Sequence, residues 1–209
     1  MTYIIAFDFE AFGPIPSIHG FTQLGAVIGS LTSGHIVDTF NEYANQSEYS
    51  SDPDCIEDHW LKNPERYAET LEKCTESTKH PQEVVNMFVD WIAKFVKERQ
   101  TESVYLITDC STFDSGLLKA FSLTSTLKIV NKKSVRDIID TTSFFLGVSR
   151  LFMTEEIVDG TSFDLACKSL DLDPLKFKSS VKHDHNPVND ATVIFERYKF
   201  INDALLEKS

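Results

Sequence analysis

The chain has 209 residues, of which 42% are hydrophobic and 25% charged, a balance typical of one globular core rather than of a disordered chain. Its formal net charge of -12 disfavours binding along a long nucleic acid, because such binding depends on lysine and arginine neutralising phosphates. No stretch reaches the roughly 18 to 20 apolar residues of a membrane span and the N-terminus lacks a basic signal segment, so we expect no membrane partner and a cytoplasmic location.

The first half of the chain predicts an antiparallel meander followed by helices. Apolar runs bounded by Gly, Pro and Ser predict three strands, over 4–10, 21–29 and 35–43. Apolar residues at helical spacing then predict helices near 57–62, 64–74 and 81–98. These helices make up a helical insertion over roughly 45–100.

Strands and helices alternate in the second half. The predicted strands cover 103–108 and 134–139. The predicted helices run through 117–121 and over 143–151, 162–170 and 187–206. Strands followed by alternating strands and helices predict an α/β domain with three layers, which we expect to extend over 1–209 as a single domain.

The cysteines predict neither a zinc site nor a disulfide framework. Cys55, Cys74, Cys110 and Cys167 show no short paired spacing. A cytosolic chain of this size does not require disulfides, so we expect four free thiols.

Two carboxylates lie at the end of the first apolar run. Side chains alternate along a strand, so Asp8 and Glu10 point the same way as Ile4 and Ala6. Two like charges at this distance repel each other and raise one pKa unless a proton or a cation intervenes. Because Mg2+ and Mn2+ prefer oxygen ligands, the pair predicts a metal site.

A histidine and a further aspartate lie five positions apart near the C-terminus. On one continuous helix, His185 and Asp190 would be rotated about 140° away from alignment. Asn186 is a favourable N-cap and Pro187 a favourable first helical residue, which puts His185 on a loop and Asp190 in the first helical turn. Both side chains can then reach one cleft, although His183 competes with His185 by proximity.

Asp114 completes the group of candidate site residues. It follows a short strand and begins a helix, where an acid also stabilises the helix N-terminus by about 0.3 to 1 kcal/mol, and the two roles are compatible. His59 and Trp60 are left outside the predicted site, because a tryptophan at helical spacing is more typical of a core or an interface.

Three ordered motifs resemble the DEDD superfamily of 3'-5' exonucleases, also called DnaQ-like or ribonuclease T-like, in its histidine branch. Asp8-Phe9-Glu10 is similar to the first motif, 109–114 to the second, and His185-x4-Asp190 to the third. In the tyrosine branch the base lies one position further on, where this chain has Asn186. Asp109 departs from the pattern, because relatives often carry Asn or Gly there.

The resemblance implies a ribonuclease H-like α/β/α fold with a five-stranded mixed sheet and a 3'-5' exonuclease that uses two ions of Mg2+ or Mn2+. One ion would be held by Asp8, Glu10 and Asp190, and the other by Asp8 and Asp114, directly or through water. His185 would take a proton from the attacking water. The product would be a nucleoside 5'-monophosphate.

The resemblance also implies the 3' ends of single-stranded DNA or RNA as partners. Phe9, Phe12 or Leu24 would stack on or wedge against the terminal base. Two local basic clusters could line a strand path or form ordinary solvated faces: Lys128, Lys132, Lys133 and Arg136, and Lys176, Lys178 and Lys182. Relatives include homodimers, so a homodimer is left open.

Two alternative functions remain at this point. A phosphodiesterase acting on very short oligonucleotides fits the acidic charge better than an enzyme of long strands. A non-catalytic module on the same fold would bind nucleic acid or a protein, but such a module has no need of a repulsive acid cluster.

Overall fold

The computed structural model describes residues 2–100, 104–122, 135–152 and 160–208. The strands are β1 (Tyr3–Glu10), β2 (Gln23–Ser30), β3 (Ile36–Tyr43), β4 (Val104–Thr108) and β5 (Val135–Asp140). The α-helices are α1 (Pro16–His19), α2 (Pro53–Asp58), α3 (Pro64–Glu76), α4 (Pro81–Arg99), α5 (Ser111–Ala120), α6 (Thr141–Phe152), α7 (Ser162–Ser169) and α8 (Pro187–Lys208). Short 3-10 turns cover Trp60–Lys62 and Pro174–Lys176.

The five strands form one mixed sheet in the order β3-β2-β1-β4-β5. β1 pairs antiparallel with β2 and parallel with β4, so it lies at the centre of the sheet. Its residues Ile4, Ile5, Ala6 and Phe7 are almost fully buried. A central strand that is covered on both faces has apolar residues at successive positions. The alternation of polar and apolar residues is therefore visible only at the acidic end of β1.

Helices cover both faces of the sheet. On one face, Phe7 of β1 belongs to a core that includes Phe88 of α4 and Leu117 of α5. On the other face, Ala6 belongs to a core that includes Phe195 of α8. The predicted three-layer α/β arrangement with a five-stranded mixed sheet is confirmed.

The largest difference from the predicted elements lies at the start of the helical region. A single helix over 57–62 is wrong, because α2 begins earlier and a 3-10 turn follows it. The Asp52 carboxylate accepts hydrogen bonds from the backbone N–H groups of Asp54 and Cys55, and Pro53 occupies the first helical position. This N-cap makes the helix begin at Pro53, before residue 57, where the spacing of apolar residues predicted its start.

Two predictions from composition can be compared with the structure. All four cysteines are free thiols, as predicted. Across the described ranges, no helix has both the length and the apolar character needed to cross a bilayer.

The lack of a side chain at Gly25 lets α8 approach the sheet. Gly25 pairs with Asp8 across β1 and β2. A Cβ atom at Gly25 would lie 2.4 Å from the carbonyl carbon of Pro187 and from the backbone nitrogen of Val188. The first turn of α8 therefore packs directly on backbone, beside the acidic end of β1.

We expect Gly25→Ala to destabilise the protein by about 1 to 3 kcal/mol, because the added methyl group forces the α8 backbone away from the sheet. Gly147→Ala is the matched control, since a Cβ atom at this helical glycine meets nothing within 4 Å. The control should be about 0.5 to 1 kcal/mol more stable than the parent. Urea unfolding measures both, and a Gly25→Ala protein as stable as the parent would contradict this packing.

Candidate active site

The carboxylates of Asp8 and Glu10 lie at the C-terminal end of β1, on the face of the sheet that α8 covers. Ile4 and Ala6 lie on the same face of β1 as Asp8 and Glu10, and they belong to the core that includes residues of α8. Glu10 is 7% exposed, and Asp8 is half-buried. The alternation predicted from the sequence therefore directs both acids toward the helix that carries Asp190.

The start of α8 agrees with the sequence argument. The Asn186 side chain accepts a hydrogen bond from the Val188 backbone N–H at 3.1 Å, and Pro187 is the first helical residue. His185 precedes the helix in a left-handed backbone conformation with φ of 59°. Asp190 lies in the first helical turn and is 4% exposed. Loop and helix thus present the two side chains separately, as predicted.

Two groups of carboxylates meet at Asp8. In the first group, Asp8, Glu10 and Asp190 each offer an oxygen atom, and these atoms lie within 4.8 Å of one another. In the second group, Asp8, Asp109 and Asp114 do the same within the same distance. Oxygen donors of this kind suit hard divalent cations such as Mg2+ and Mn2+.

Asp114 is held by the backbone and side chains around it. It lies in the first turn of α5 and is 1% exposed. Its carboxylate accepts a hydrogen bond from the Phe9 backbone N–H at 3.1 Å and a second from the Thr108 hydroxyl. The structure therefore fixes Asp114 next to β1 and leaves it beneath the surface of the cleft.

Burial and mutual repulsion disfavour the ionised forms of these acids. Burial raises the pKa of Asp8 well above its usual value, and the charges of Glu10 and Asp114 raise it further. Burial raises the pKa of Asp114 to about 7. Burial and the charge of Glu10 together raise the pKa of Asp190 to about 7. A bound cation would offset both effects, so the donor set fits the implied metals.

Two histidines from one loop face this acidic group. The Nδ1 atom of His185 lies 3.9 Å from Oε1 of Glu10, and the Nδ1 atom of His183 lies 3.2 Å from Oδ1 of Asp190. Burial lowers the pKa of His185, which keeps its imidazole neutral near pH 7. Both histidines thus reach the site, and the role assigned to His185 stays a prediction.

A cavity of about 510 Å³ opens over the carboxylates. Acids form much of its wall: Asp8, Glu10, Asp52, Asp54, Asp58, Asp109 and Asp190. Three histidines, His59, His183 and His185, also line it, together with the half-buried ring of Phe113. The cavity is large enough for a small ligand and strongly acidic before any cation binds.

His59 is a residue that the sequence analysis left outside the site. It follows α2, and its Nε2 atom lies 3.9 Å from Oε2 of Glu10. The next residue, Trp60, is buried and donates a hydrogen bond from Nε1 to the Ala11 carbonyl at 2.9 Å. Trp60 therefore anchors the chain at the rim, as its predicted core role requires, and this anchor carries His59 into the cavity.

The side chains proposed for base stacking are largely buried. Phe9 lines the cavity but is 3% exposed, and its ring packs edge-on against Phe21. Phe12 is 2% exposed and packs against Trp60, and Leu24 is fully buried in the core. None of these three offers a free face to a base, because neighbouring side chains cover it.

The two basic clusters differ in how they can be placed. Lys128, Lys132, Lys133 and the side chain of Arg136 lie outside the described part of the structure. Lys176, Lys178 and Lys182 are exposed on the segment that leads to His183. The second cluster could therefore lie along a path to the cavity, while its role as a strand contact stays a prediction.

Arg66 ties the helical region to the loop that carries His185. It extends from α3, is 9% exposed, and donates to Oε1 of Gln23 at 2.5 Å. It also donates to the hydroxyl of Tyr43 and to the backbone carbonyl of His185, both at 3.4 Å. One planar guanidinium thus joins β2, β3 and the loop at His185, the residue with positive φ.

No family model matches the chain, and no curated protein matches its sequence. Solved structures do match it. The nuclease domain of 3'hExo, a DEDDh family member bound to rAMP, is 16% identical with a TM-score of 0.59, over 99% of this chain and 92% of that chain. A 3'-exonuclease, from a structure that describes 3'-end specific recognition of the histone mRNA stem-loop, is 15% identical with a TM-score of 0.56. The match covers 99% of this chain and 82% of that chain.

Exonuclease I of E. coli, in complex with a dT13 oligonucleotide, is 10% identical with a TM-score of 0.61. The match covers all of this chain but 42% of exonuclease I, so the chain spans about two fifths of that protein. These likenesses establish the fold. The chain has the ribonuclease H-like α/β fold of the DEDDh exonuclease domains, as its motifs predicted.

In the chelator-treated protein, we expect the free energy of unfolding to fall as pH rises from about 4 to about 7. The raised pKa values mean that the folded state keeps protons that unfolded carboxyl groups, with pKa near 4, have already released. Thermal unfolding across this range measures the slope. Asp114→Asn, which removes one of these groups, should flatten it, and saturating Mg2+ at pH 8 should raise the Tm. A Tm that increases from pH 5 to 8 without metal would contradict this electrostatic picture.

We expect Arg66→Lys to cost about 1 to 3 kcal/mol of stability, because a single ammonium nitrogen replaces the three guanidinium nitrogens that reach Gln23, Tyr43 and the His185 carbonyl. Arg150→Lys, at an exposed position on α6, is the control and should stay within about 0.5 kcal/mol of the parent. Urea unfolding of the two variants makes the comparison, and equal stabilities would show that the Arg66 contacts contribute little.

Proposed function

We propose that this chain, which has the fold of the DEDDh exonuclease domains, is a metal-dependent 3'-5' exonuclease that releases nucleoside 5'-monophosphates from single-stranded DNA or RNA. The observation that carries the proposal is the position of Asp8, whose carboxylate belongs to both acidic groups at the end of β1. A carboxylate shared in this way can hold two cations close together. The nuclease neighbours of the same fold support the reaction class.

The acids divide between the two cations. Asp8, Glu10 and Asp190 would hold one ion of Mg2+ or Mn2+, while Asp8 and Asp114 would hold the other, and Asp109 belongs to the same second group. Such cations would supply a water of lowered pKa and would stabilise charge on the leaving 3' oxygen. The raised pKa values of Asp8, Asp114 and Asp190 support cation binding here, because a cation beside these carboxylates favours their ionised forms.

His185 acts as the general base of the proposed reaction. Its imidazole lies beside Glu10 and is half-exposed to the cavity, so it can contact a water near the first acidic group. Its lowered pKa leaves the ring neutral and able to accept a proton at neutral pH. Arg66 positions this base by holding the His185 carbonyl, without contacting the substrate in the proposal.

The terminal nucleotide enters the cavity over β1. A volume of about 510 Å³ suits a mononucleotide better than a duplex end. Phe113 lines the cavity and is half-buried, whereas Phe12 and Leu24 are almost fully buried. We assign base stacking to Phe113, because stacking on an aromatic ring holds single strands with little sequence preference.

A second candidate function is favoured by the charge of the chain. With a net charge of -12 and an acidic cavity wall, long polyanions are repelled except where cations bind. A phosphodiesterase that acts on very short oligonucleotides would use the same residues and need fewer phosphate contacts. Substrate length therefore separates the two candidates.

We expect 5'-labelled single-stranded DNA or RNA with a free 3' end to shorten stepwise in Mg2+ or Mn2+ and to stay intact in chelator. Asp8→Asn should lower the rate by about 10³-fold, since a shared ligand is worth several kcal/mol. His185→Gln should lower it by about 10² to 10⁴-fold. His183→Gln should lower it less than His185→Gln, because we assign the proton transfer to His185.

The exposed His35 provides the matched control, and His35→Gln should keep the parent rate. The rates of cleavage of labelled dinucleotides and of oligomers of about 20 nucleotides are compared in the same assay. Cleavage of the dinucleotides alone would favour the second candidate. Metal binding without cleavage of any length would overturn both.

A further inference from the structure

A third group of donor atoms lies beside the two acidic groups and has a different chemistry. Glu10, His59 and His185 each offer one donor atom, and these atoms lie within 4.8 Å of one another. The two imidazole nitrogens are each 3.9 Å from an oxygen of Glu10, one from Oε2 and the other from Oε1. The ring centroids of the two histidines are 4.3 Å apart.

Two imidazoles and one carboxylate are the donor set of a zinc site with an open fourth position. Zinc to ligand distances of about 2.0 to 2.1 Å place tetrahedral ligand atoms about 3.3 Å apart, so each pair here has to close by roughly 0.5 to 1.5 Å. The side chains of His59 and His185 are 42% and 44% exposed, so small side-chain rotations toward the cavity can achieve this closure.

We propose that Glu10, His59 and His185 form a binding site for Zn2+ that adjoins the oxygen-lined groups at Asp8 and shares Glu10 with the first of them. Nitrogen donors distinguish the two kinds of site, because imidazole suits Zn2+ whereas Mg2+ takes oxygen ligands. The fourth zinc position faces the cavity that these residues line. The helical region therefore contributes a metal ligand of its own.

The backbones that carry the two histidines are already fixed. Trp60, next to His59, is 2% exposed and is hydrogen-bonded to the Ala11 carbonyl. Arg66 holds the carbonyl of His185. Because both supports come from buried side chains, a metal bound here needs only side-chain adjustment, and the ordering cost of binding is small.

Zinc at this site would inhibit hydrolysis. A His185 nitrogen that binds zinc cannot accept a proton from water, and Glu10 would be shared with a competing cation. This consequence rests on the proposed function, whereas zinc binding itself does not. The two parts are therefore measured separately.

A competing arrangement uses the other histidine of the loop. His183, His185 and Asp190 also offer donor atoms within 4.8 Å of one another. His185 belongs to both sets, so its replacement cannot tell them apart. His59 and His183 each belong to one set, and their replacement distinguishes the two sites.

The binding test is competition for Zn2+ between the full chain and a chromophoric chelator in saturating Mg2+. We expect one zinc per chain, with affinity weakened at least about tenfold in His59→Gln and retained in His183→Gln and in His35→Gln. Loss of zinc in His183→Gln with retention in His59→Gln would overturn the proposal. The Tm of each variant without metal checks that it folds.

A second measurement needs no variant. X-ray absorption at the zinc edge of the parent protein should show two imidazoles and a carboxylate, and a shell of oxygen ligands would overturn the site. In the nuclease assay, Zn2+ added to the Mg2+ enzyme should inhibit, and His59→Gln should need at least about tenfold more Zn2+ for half inhibition. Zinc binding at this site without inhibition would overturn the inhibitory role. An inactive parent protein would refute the proposed function but would leave the zinc-binding result intact.

Discussion

Electrostatic repulsion among buried carboxylates at the end of β1 is the constraint around which the described structure is arranged. Asp8 and Glu10 end a strand that is otherwise apolar, and α8 brings Asp190 onto them at a point where Gly25 leaves room. Such a cluster costs stability unless protons or cations compensate it. The fold tolerates this cost because an apolar core on each face of the sheet holds β1 and α8 in place.

The helical region between β3 and β4 completes the cavity rather than simply extending the chain. It contributes His59 to the wall, anchors that wall through Trp60, and reaches the His185 loop through Arg66. Three side chains of this region, His59, Trp60 and Arg66, therefore shape one side of the cavity. His59 thus comes from the helical region, whereas His185 comes from the loop before the helix that carries Asp190.

Much of this arrangement was predictable from local sequence, because it depends on local geometry. Strand alternation directs Asp8 and Glu10 to one face, and an Asn-Pro helix start separates His185 from Asp190. His59 and Arg66 were missed because their partners are distant in sequence, with 119 positions between Arg66 and His185. The burial of Phe12 was missed for a related reason, since Phe12 packs against Trp60, whose position no local pattern reveals, and its contact with a base stays a prediction.

The order of the acids along the chain has a consequence for biosynthesis. Asp8 and Glu10 lie in the first strand, whereas Asp190 follows all five strands. While a ribosome is making the sheet, Glu10 and the face of Asp8 that later meets Asp190 can stay hydrated, and this part of the desolvation penalty arises when α8 docks. The group of Asp8, Glu10 and Asp190 therefore closes last, after all five strands and the acids Asp109 and Asp114 have been made.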